Sequence, residues 1–257
     1  MKLTTNLDPK KYKRFFAFGC SMTDYYWSTW ADIIGAHVPE YYNWGRSGQG
    51  NVFIALSIVE AHKRFTFGPG DLVIPMWSSS TREDRYFNNS WHGGGNIYTN
   101  KAYTNAQQKA FIQTADPRFY LIRDLGMISY AATLLETTAA DWDFLSMIRP
   151  GELEWGQDKI EHTDVEYHHA DTYQLLKPSL YDTIAQRTWQ TFTNESGDNH
   201  PLPLRHLEYL RTIYKQVQVN PAVEHTAAAE HQQWVTKKLQ YSTSKPQCGI
   251  RTPFNRF

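Results

Sequence analysis

The chain has 257 residues, of which 41% are hydrophobic and 20% are charged, so it is long enough to bury a substantial core. Lys and Arg total 26, and Asp and Glu also total 26, which argues against a nucleic-acid-binding protein with a broad basic surface. The two cysteines, Cys20 and Cys248, are too few for a secreted disulfide scaffold and fit a reducing compartment.

The apolar run near the N-terminus, Phe15–Phe18, is much shorter than the core of a signal peptide. No other stretch reaches the apolar length of a membrane span. We therefore expect a cytoplasmic protein that has neither a membrane nor a nucleic acid as its partner.

Strand, turn and helix patterns alternate in the first third of the chain. Phe15–Phe18 is typical of a short buried strand that ends at Gly19, and apolar residues from Trp27 to Ile34 then follow helical spacing. A second unit has an extended segment at 38–43, a glycine-rich turn and a helix with apolar residues from Val52 to Val59.

A third strand is predicted over Asp71–Trp77, although Pro75 cannot donate a hydrogen bond to a sheet ladder. Residues 83–115 are polar, glycine-containing and aperiodic, which predicts a lid or surface insertion. The next segment has apolar residues on one helical face, namely Leu121, Leu125, Ile128, Ala132 and Leu135.

The second half of the chain gives a weaker pattern. A fourth strand is predicted over Trp142–Ile148, and residues 149–195 are expected to be irregular apart from a helix near Leu180–Trp189. Pro203 begins a helix whose apolar face is formed by Leu207, Leu210, Tyr214 and Val217. A last helix is expected from Pro221 to about Gln240, before an extended tail.

Alternating strands and helices predict a three-layer α/β/α sandwich around a mainly parallel sheet. Ligands in such sheets bind at the carboxyl ends of the strands. We expect Cys20, Ser21, Gly48 and the segment Ser78–Arg82 to meet at this edge.

Residues suited to acyl transfer stand at two distant places in the sequence. Ser21 follows the first strand, where a turn can expose its hydroxyl and its N–H. Asp198 stands two residues before His200, so that the carboxylate can hold one imidazole nitrogen while the other faces Ser21. The sequence thus predicts a serine, histidine and aspartate triad. Considered alone, Ser21 also fits a helix N-cap, and Asp198 with His200 also fits a surface pair.

The segments around these residues resemble the SGNH hydrolases, the family of GDSL-type esterases and lipases with a flavodoxin-like fold. Phe18-Gly19-Cys20-Ser21 resembles the nucleophile block, the segment from Asn43 to Gly48 resembles the block that supplies a glycine N–H to the oxyanion, and Asp198-x-His200-Pro201 resembles the block of the acid and base. The resemblance covers residues 14–219, with insertions near 83–115 and 149–195, and leaves 220–257 as a C-terminal helix and tail. It implies an oxyanion hole with N–H donors from Ser21 and Gly48.

The sequence departs from the family pattern in three ways. Cys20 replaces the usual aspartate, and Asp198 precedes His200 by two positions instead of three. The third block lacks the usual asparagine, so Ser79 is predicted as a third oxyanion donor, with Arg82 or Arg85 as other candidates.

Other polar clusters favour structural roles. The run from Glu161 to Asp171 has many potential metal ligands but no recognised spacing, so a solvated loop is expected and no metal. The run His92-Gly93-Gly94-Gly95 is expected to be a flexible segment, and His206 to pack or cap a helix. The turn at 45–50 lacks the residues of a nucleotide-binding loop.

These features predict a serine esterase, without metal or organic cofactor, that removes a small acyl group, most simply acetyl, from a carbohydrate or another hydroxylated substrate. Arg82 and Tyr25 are the predicted substrate-binding residues, and further aromatic residues for a glycan ester are Tyr26, Trp91 and Tyr98. An O-acyltransferase would use the same triad. The alternative from another class is a non-catalytic glycan-binding or phage assembly protein, because the blocks are also similar to uncharacterised SGNH-like phage proteins; association with an oligomer or a virion is then expected.

Overall fold

Strands and helices alternate along the chain in the computed structural model, which describes residues 2–3, 6–97, 106–152, 163–184, 193–195 and 197–237. The strands in these ranges are β1 (Asn6–Leu7), β2 (Arg14–Gly19), β3 (Glu40–Gly45), β4 (Asp71–Trp77), β5 (Arg82–Phe87), β6 (Ser90–Asn96), β7 (Asp141–Trp142), β8 (Leu145–Ser146) and β9 (Gln216–Val217). The helices are α1 (Trp30–Gly35), α2 (Asn51–Phe65), α3 (Ala106–Thr114), α4 (Pro117–Glu136), α5 (Thr163–His168), α6 (Ala170–Leu175), α7 (Leu180–Ile184), α8 (Pro203–Ile213) and α9 (Pro221–Lys237).

A parallel sheet forms the middle layer. Its strands lie in the order β3-β2-β4, and β7 and β8 both pair with the other side of β4. The predicted fourth strand is therefore two short strands, with Asp143 and Phe144 between them. Because all pairs are parallel, β2, β3 and β4 end at the same edge, where Gly19 lies opposite Gly45.

Pro75 lies inside β4, and the sheet accommodates a proline there because the neighbouring strand is interrupted between β7 and β8. Carbonyl oxygens of Val73 and Trp77 accept hydrogen bonds from Asp143 and Met147 on that side of β4. Pro75 has the same parity as these two residues, so its missing N–H faces the gap between β7 and β8. The sequence prediction of a strand through Pro75 is confirmed.

Alternating side chains of the sheet bury two separate apolar faces. Phe15 and Ala17 pack with residues of α1, α7 and α8 in one cluster, whereas Phe16 and Phe18 pack with residues of α2 and α4 in the other. This is the three-layer α/β/α sandwich that the sequence predicted. The five apolar residues predicted along α4 are all buried.

The segment 83–115, which was predicted to be a lid or surface insertion, contains the antiparallel hairpin β5–β6 and the helix α3. Asn88 and Asn89 form the turn with φ of 50° and 55°, as a type I′ hairpin turn requires. These elements were not predicted, because glycines and charged residues obscure the strand alternation of the hairpin. Residues 98–105 lie outside the described ranges.

The region 149–195 is also more regular than predicted, because it contains α5, α6 and α7. The helix expected near Leu180–Trp189 is described only over Leu180–Ile184, and residues 185–192 lie outside the described ranges. Val217 does not continue the face of α8. It lies in β9, opposite Leu7 of β1, so the N-terminal segment before residue 14 joins the fold as well.

The predicted last helix, α9, packs onto the rest of the structure. Trp234 contacts Trp27 edge-on at a ring-centroid distance of 5.1 Å, and the Glu230 carboxylate accepts the Ser28 N–H. Residues 238–257 lie outside the described ranges. In the described part of the chain, no helix is both long and apolar enough to cross a bilayer.

Candidate active site

Ser21 lies in a tight turn at the carboxyl end of β2. The Thr23 N–H donates to the Cys20 carbonyl at 3.0 Å, which closes the turn directly after the strand. Glycine is required at position 19, because a Cβ there would approach Thr23 Oγ1 to 2.1 Å. Cys20 is buried and its thiol contacts Met147 Sδ, so the residue that replaces the usual aspartate packs in the core.

The structure brings Ser21, His200 and Asp198 together across 179 residues of sequence. His200 Nε2 lies 2.9 Å from Ser21 Oγ, and His200 Nδ1 lies 2.6 Å from Asp198 Oδ1. Since Asp198 can only accept when ionised, Nδ1 carries the proton and Nε2 is left to accept the Ser21 O–H. The spacing of two residues between Asp198 and His200 is therefore compatible with a connected triad.

Asp198 is held as a carboxylate. Burial alone would raise the pKa of Asp198, but hydrogen bonds and the charge of His200, together with the Tyr25 O–H, lower it below its ordinary value. The Tyr25 hydroxyl donates to Asp198 Oδ2 at 2.9 Å, and the His200 backbone N–H donates to Oδ1 at 2.6 Å. The carboxylate is thus ionised at neutral pH and can stabilise a protonated imidazole.

Side chains from three separate parts of the chain fix the loop that carries the acid and base. Three successive carbonyls accept hydrogen bonds: Asn199 from the Tyr181 hydroxyl at 2.9 Å, His200 from Asn194 Nδ2 at 2.6 Å, and Pro201 from Trp27 Nε1 at 2.6 Å. Asn194 Oδ1 also accepts the Asp198 N–H at 3.1 Å. The loop backbone is therefore anchored at almost every residue.

Tyr25, predicted as a substrate-binding residue, belongs to the support of the triad. Its ring stacks on His200 with centroids 3.9 Å apart and planes 17° apart, and its hydroxyl holds Asp198. The side chain is buried rather than displayed on the surface. Tyr26 and Trp91 are half-buried, and Tyr98 lies outside the described ranges.

Gly48 lies in the turn between β3 and α2 with φ of +78°, which a glycine adopts without strain. Within the described part of the chain, neither its N–H nor the Ser21 N–H has a hydrogen-bond partner. The Gly48 carbonyl accepts the Gly95 N–H of β6 at 3.0 Å. A Cβ at Gly93 would come within 2.5 Å of the Gly48 carbonyl group, so the glycine run predicted to be flexible permits this close contact.

Ser79 lies at the predicted edge, but its hydroxyl is engaged locally. Ser79 Oγ is 2.8 Å from Thr81 Oγ1 and accepts the Thr81 N–H at 3.3 Å, and the side chain is fully buried. The donor role predicted for Ser79 therefore gains no support. Asn51, the first residue of α2, clamps the same segment by exchanging hydrogen bonds with the Ser78 N–H and carbonyl at 2.7 and 3.0 Å.

Arg82 is a buried cation beside the same turn, with 4% of its surface exposed. Its guanidinium donates to the Gln49 carbonyl at 3.1 Å and contacts Met147 Sδ at 3.7 Å. Met147 in turn contacts Cys20, the residue before Ser21. The guanidinium thus lies among residues that adjoin both Gly48 and Ser21. Arg85, the other arginine considered, is partly exposed on the hairpin and ion-pairs with Glu83.

Two titratable groups near the site have structural roles. His206 is fully buried on α8, and burial, with a smaller contribution from His200, lowers its pKa to about 3, so it stays neutral. Burial raises the pKa of Asp124 to about 7, although Arg123 and Asn51 donate hydrogen bonds to it. Asp124 accepts a hydrogen bond from the Asn51 side-chain amide at 2.8 Å and so helps to hold Asn51 in place.

Two carboxylates of the run from Glu161 to Asp171, for which no metal was expected, form ion pairs with arginines. Asp164 pairs with Arg118, and Glu166 pairs with Arg149. Glu161 and His162 lie outside the described ranges.

Sequence reasoning missed Asn194, Asn51 and the supporting role of Tyr25. Asn194 stands four residues before Asp198, and such a short polar residue in a loop signals local backbone hydrogen bonds. Asn51 follows the glycine-rich turn at the first position of a helix, but its partner, Ser78, is distant in sequence and gave no signal.

Comparisons with known proteins give distant structural similarities. No protein-family model and no curated protein matches the chain. A member of the lipolytic protein G-D-S-L family from Veillonella parvula is 14% identical with a TM-score of 0.45, the match covering 77% of this chain and 96% of that one. A GDSL-like lipase from Bacteroides thetaiotaomicron is 14% identical with a TM-score of 0.44, covering 87% and 92%.

A crystal structure of a protein described as a possible acylhydrolase from Bacteroides fragilis is also 14% identical, with a TM-score of 0.43 and coverage of 84% of this chain and 88% of that one. All three identities are low and all three TM-scores lie below 0.5. The chemistry of this chain therefore has to be derived from its own residues.

Proposed function

We propose that the protein is a serine esterase that works through an acyl-enzyme. The contacts among Ser21, His200 and Asp198 carry this proposal. The base His200 lies 2.9 Å from the nucleophile Ser21 Oγ and 2.6 Å from the orienting carboxylate of Asp198. A serine hydroxyl at an N-cap or a histidine at the surface requires neither contact. The two contacts of His200, one with Ser21 and one with Asp198, favour catalysis over a purely structural role.

In the first half of the reaction, Ser21 Oγ attacks the ester carbonyl carbon while His200 Nε2 accepts the hydroxyl proton. Asp198 stabilises the imidazolium that forms. The tetrahedral intermediate then collapses, the carbon–oxygen bond to the alcohol breaks, and His200 returns the proton to the leaving alkoxide. In the second half, His200 removes a proton from water as the water oxygen attacks the acyl carbon. The second tetrahedral intermediate collapses, the bond from the acyl carbon to Ser21 Oγ breaks, and His200 returns the proton to Ser21 Oγ, which releases the free acid.

The oxyanion of each tetrahedral intermediate is assigned to the N–H groups of Ser21 and Gly48. This assignment is supported because, in the described part of the chain, neither N–H group has a hydrogen-bond partner. Such donors act because they are already oriented when charge develops, and the removal of one costs about 10²–10³ in turnover in other enzymes.

Arg82 is the third group that we assign to the oxyanion, in place of the asparagine that the sequence lacks. Its charge is buried, and its contact with the Gln49 carbonyl places it next to the turn of Gly48. It also contacts Met147 Sδ, which the Cys20 thiol contacts as well. A cation in a site from which water is excluded stabilises a nearby oxyanion more strongly than it would in water. This assignment replaces the substrate-binding role predicted for Arg82.

A short acyl group fits the surroundings of the nucleophile. Ser21 has only 4% of its surface exposed, and the His200 ring, which stacks on Tyr25, contacts its hydroxyl. The proposed substrate is therefore an ester of a small acid, most simply acetate, with a carbohydrate or another hydroxylated compound as the alcohol.

The proposal is tested by hydrolysis of p-nitrophenyl acetate, butyrate and octanoate by the wild type and by Ser21→Ala. We expect turnover that falls with acyl length in the wild type and is lost in the variant. Undiminished turnover in Ser21→Ala would refute the mechanism. Binding of glycans without any esterase activity would support the non-catalytic alternative.

A further inference from the structure

A cavity beside the Gly48 turn includes Arg46 of that turn among its lining residues. This cavity has a volume of about 480 Å³ and is formed by the end of β3, by α2 and by the hairpin β5–β6. Cavities of about 300–1,000 Å³ are typical of small-molecule sites. We propose that it binds an acidic sugar residue of the ester substrate, an inference that rests on the proposed esterase function.

Aromatic side chains form the walls of this cavity, which we call the hairpin pocket. Tyr86 and Trp91 come from the hairpin, and Phe53 comes from α2. The Trp91 ring meets both neighbours edge-on, with centroids 5.4 Å from Tyr86 and 5.6 Å from Phe53. Crossed rings offer single aromatic faces but no parallel pair that could enclose a flat base. The C–H face of a sugar ring packs on one such face while its hydroxyls stay hydrated.

The charges of the hairpin pocket select an acidic ligand. Glu60 is the one acidic residue among the lining residues, and it is paired with Arg64 at 2.6 Å. Arg46 and Lys63 also line the pocket, and in the described part of the chain neither has an acidic partner. The half-buried Arg46 donates to the neutral Ser90 hydroxyl at 3.3 Å. Two uncompensated cations remain, and a guanidinium is well suited to a carboxylate, sulfate or phosphate.

The hairpin pocket adjoins the triad through a shared turn. Arg46 in the pocket and Gly48 at the oxyanion site are two residues apart, a separation of at most about 7 Å. The hairpin that carries Trp91 also contacts Gly48, through the hydrogen bond from Gly95. A short oligosaccharide that places an acidic ring in the pocket can therefore extend over the Gly48 turn and present an acylated hydroxyl to Ser21.

The test uses the full chain carrying Ser21→Ala, which can bind an ester without hydrolysing it. Its binding is measured on an array of oligosaccharides with uronate, sialate, sulfate or phosphate groups, beside neutral oligosaccharides of equal length. We expect retention of at least one acidic class, and about tenfold weaker binding after Arg46→Gln or Tyr86→Ala, as expected for the loss of one charge-assisted or aromatic contact. Retention of neutral sugars alone, or of none, would overturn the proposal.

The control for Tyr86→Ala is Tyr167→Ala, because both tyrosines are exposed, at 61% and 79%, and only Tyr86 lines the pocket. Binding unchanged by Arg46→Gln and Tyr86→Ala, or reduced equally by Tyr167→Ala, would also overturn the proposal. Tyr167→Ala in a chain that keeps Ser21 should leave p-nitrophenyl acetate hydrolysis unchanged. Hydrolysis without acidic-glycan binding would refute the pocket alone, and binding without hydrolysis would refute the esterase alone.

Discussion

The hydroxyl of Tyr25 provides a sharp test of the triad, because it can be removed without removing the ring. Tyr25→Phe deletes the hydrogen bond to Asp198 Oδ2, which is 2.9 Å long, and keeps the stack on His200. A buried hydrogen bond to a charged group contributes about 1.5–3 kcal/mol. Asp198 stabilises the imidazolium of the transition state, so part of this energy should appear in the barrier.

A share of about 1.4 kcal/mol corresponds to a tenfold lower turnover. We therefore expect Tyr25→Phe to lower kcat for p-nitrophenyl acetate about tenfold with little change in KM, because the hydroxyl supports the base rather than the substrate. Steady-state kinetics with both proteins measures this directly.

The matched control is Tyr12→Phe. Tyr12 is about as buried as Tyr25 and also donates to an aspartate, Asp141, at 3.0 Å. Tyr12 precedes β2 and Ser21 follows β2, so the six residues of the strand, which span about 20 Å, separate Tyr12 from the triad. Tyr12→Phe should lower thermal stability and leave kcat unchanged. Equal losses of kcat in both variants, or none in Tyr25→Phe, would refute the reasoning.

Four further predictions concern single residues. Gly48→Ala should lower both Tm and kcat, measured by thermal scan and ester assay, because alanine is strained at φ of +78° and its Cβ would lie 3.2 Å from the Gly93 carbonyl oxygen. Asn194→Ala should lower kcat about tenfold, since the His200 carbonyl and the Asp198 N–H both lose a partner; an unchanged kcat would show that the loop holds without it. Arg82→Gln should lower kcat about 10²-fold or more and Arg82→Lys less, with KM little changed in either; equal kcat in all three proteins would remove Arg82 from the oxyanion site. Asp124 has a raised pKa of about 7, so the folded state binds the proton more tightly than the unfolded state does. The contribution of Asp124 to stability therefore falls as pH rises from about 4 to 7, by at most about 4 kcal/mol. The stability of the wild type relative to Asp124→Asn, measured by urea unfolding, should fall over this range.

The sequence predicted those parts of the fold that depend on local patterns. Three strands were evident because each is a continuous apolar or extended run that ends at a glycine or at polar residues. These runs are Phe15–Phe18, the segment that ends at Gly45, and Asp71–Trp77. The parallel order then follows from the helices between them. Because parallel strands share one carboxyl edge, the meeting of Ser21 with the Gly48 turn could be expected as well.

Other parts depend on contacts between distant segments, which no local pattern encodes. Apolar and polar residues do not alternate clearly in the hairpin β5–β6, because Gly93 and Gly95 approach Gly48 closely and glycine has a low strand propensity. Val217 looks like the continuation of α8, yet its pairing with Leu7 ends the helix at Ile213. Tyr25 resembled a surface aromatic residue, since its partner Asp198 is 173 positions away.

The central claim is that Ser21 is a nucleophile activated by His200, and covalent labelling tests it most directly. The wild type, Ser21→Ala and His200→Ala are each incubated with a fluorophosphonate, and adducts are located by intact and peptide mass spectrometry. We expect one adduct on Ser21 in the wild type, none in Ser21→Ala, and labelling slowed by about 10²-fold or more in His200→Ala. No adduct in the wild type, or equal labelling rates in the wild type and His200→Ala, would contradict the claim.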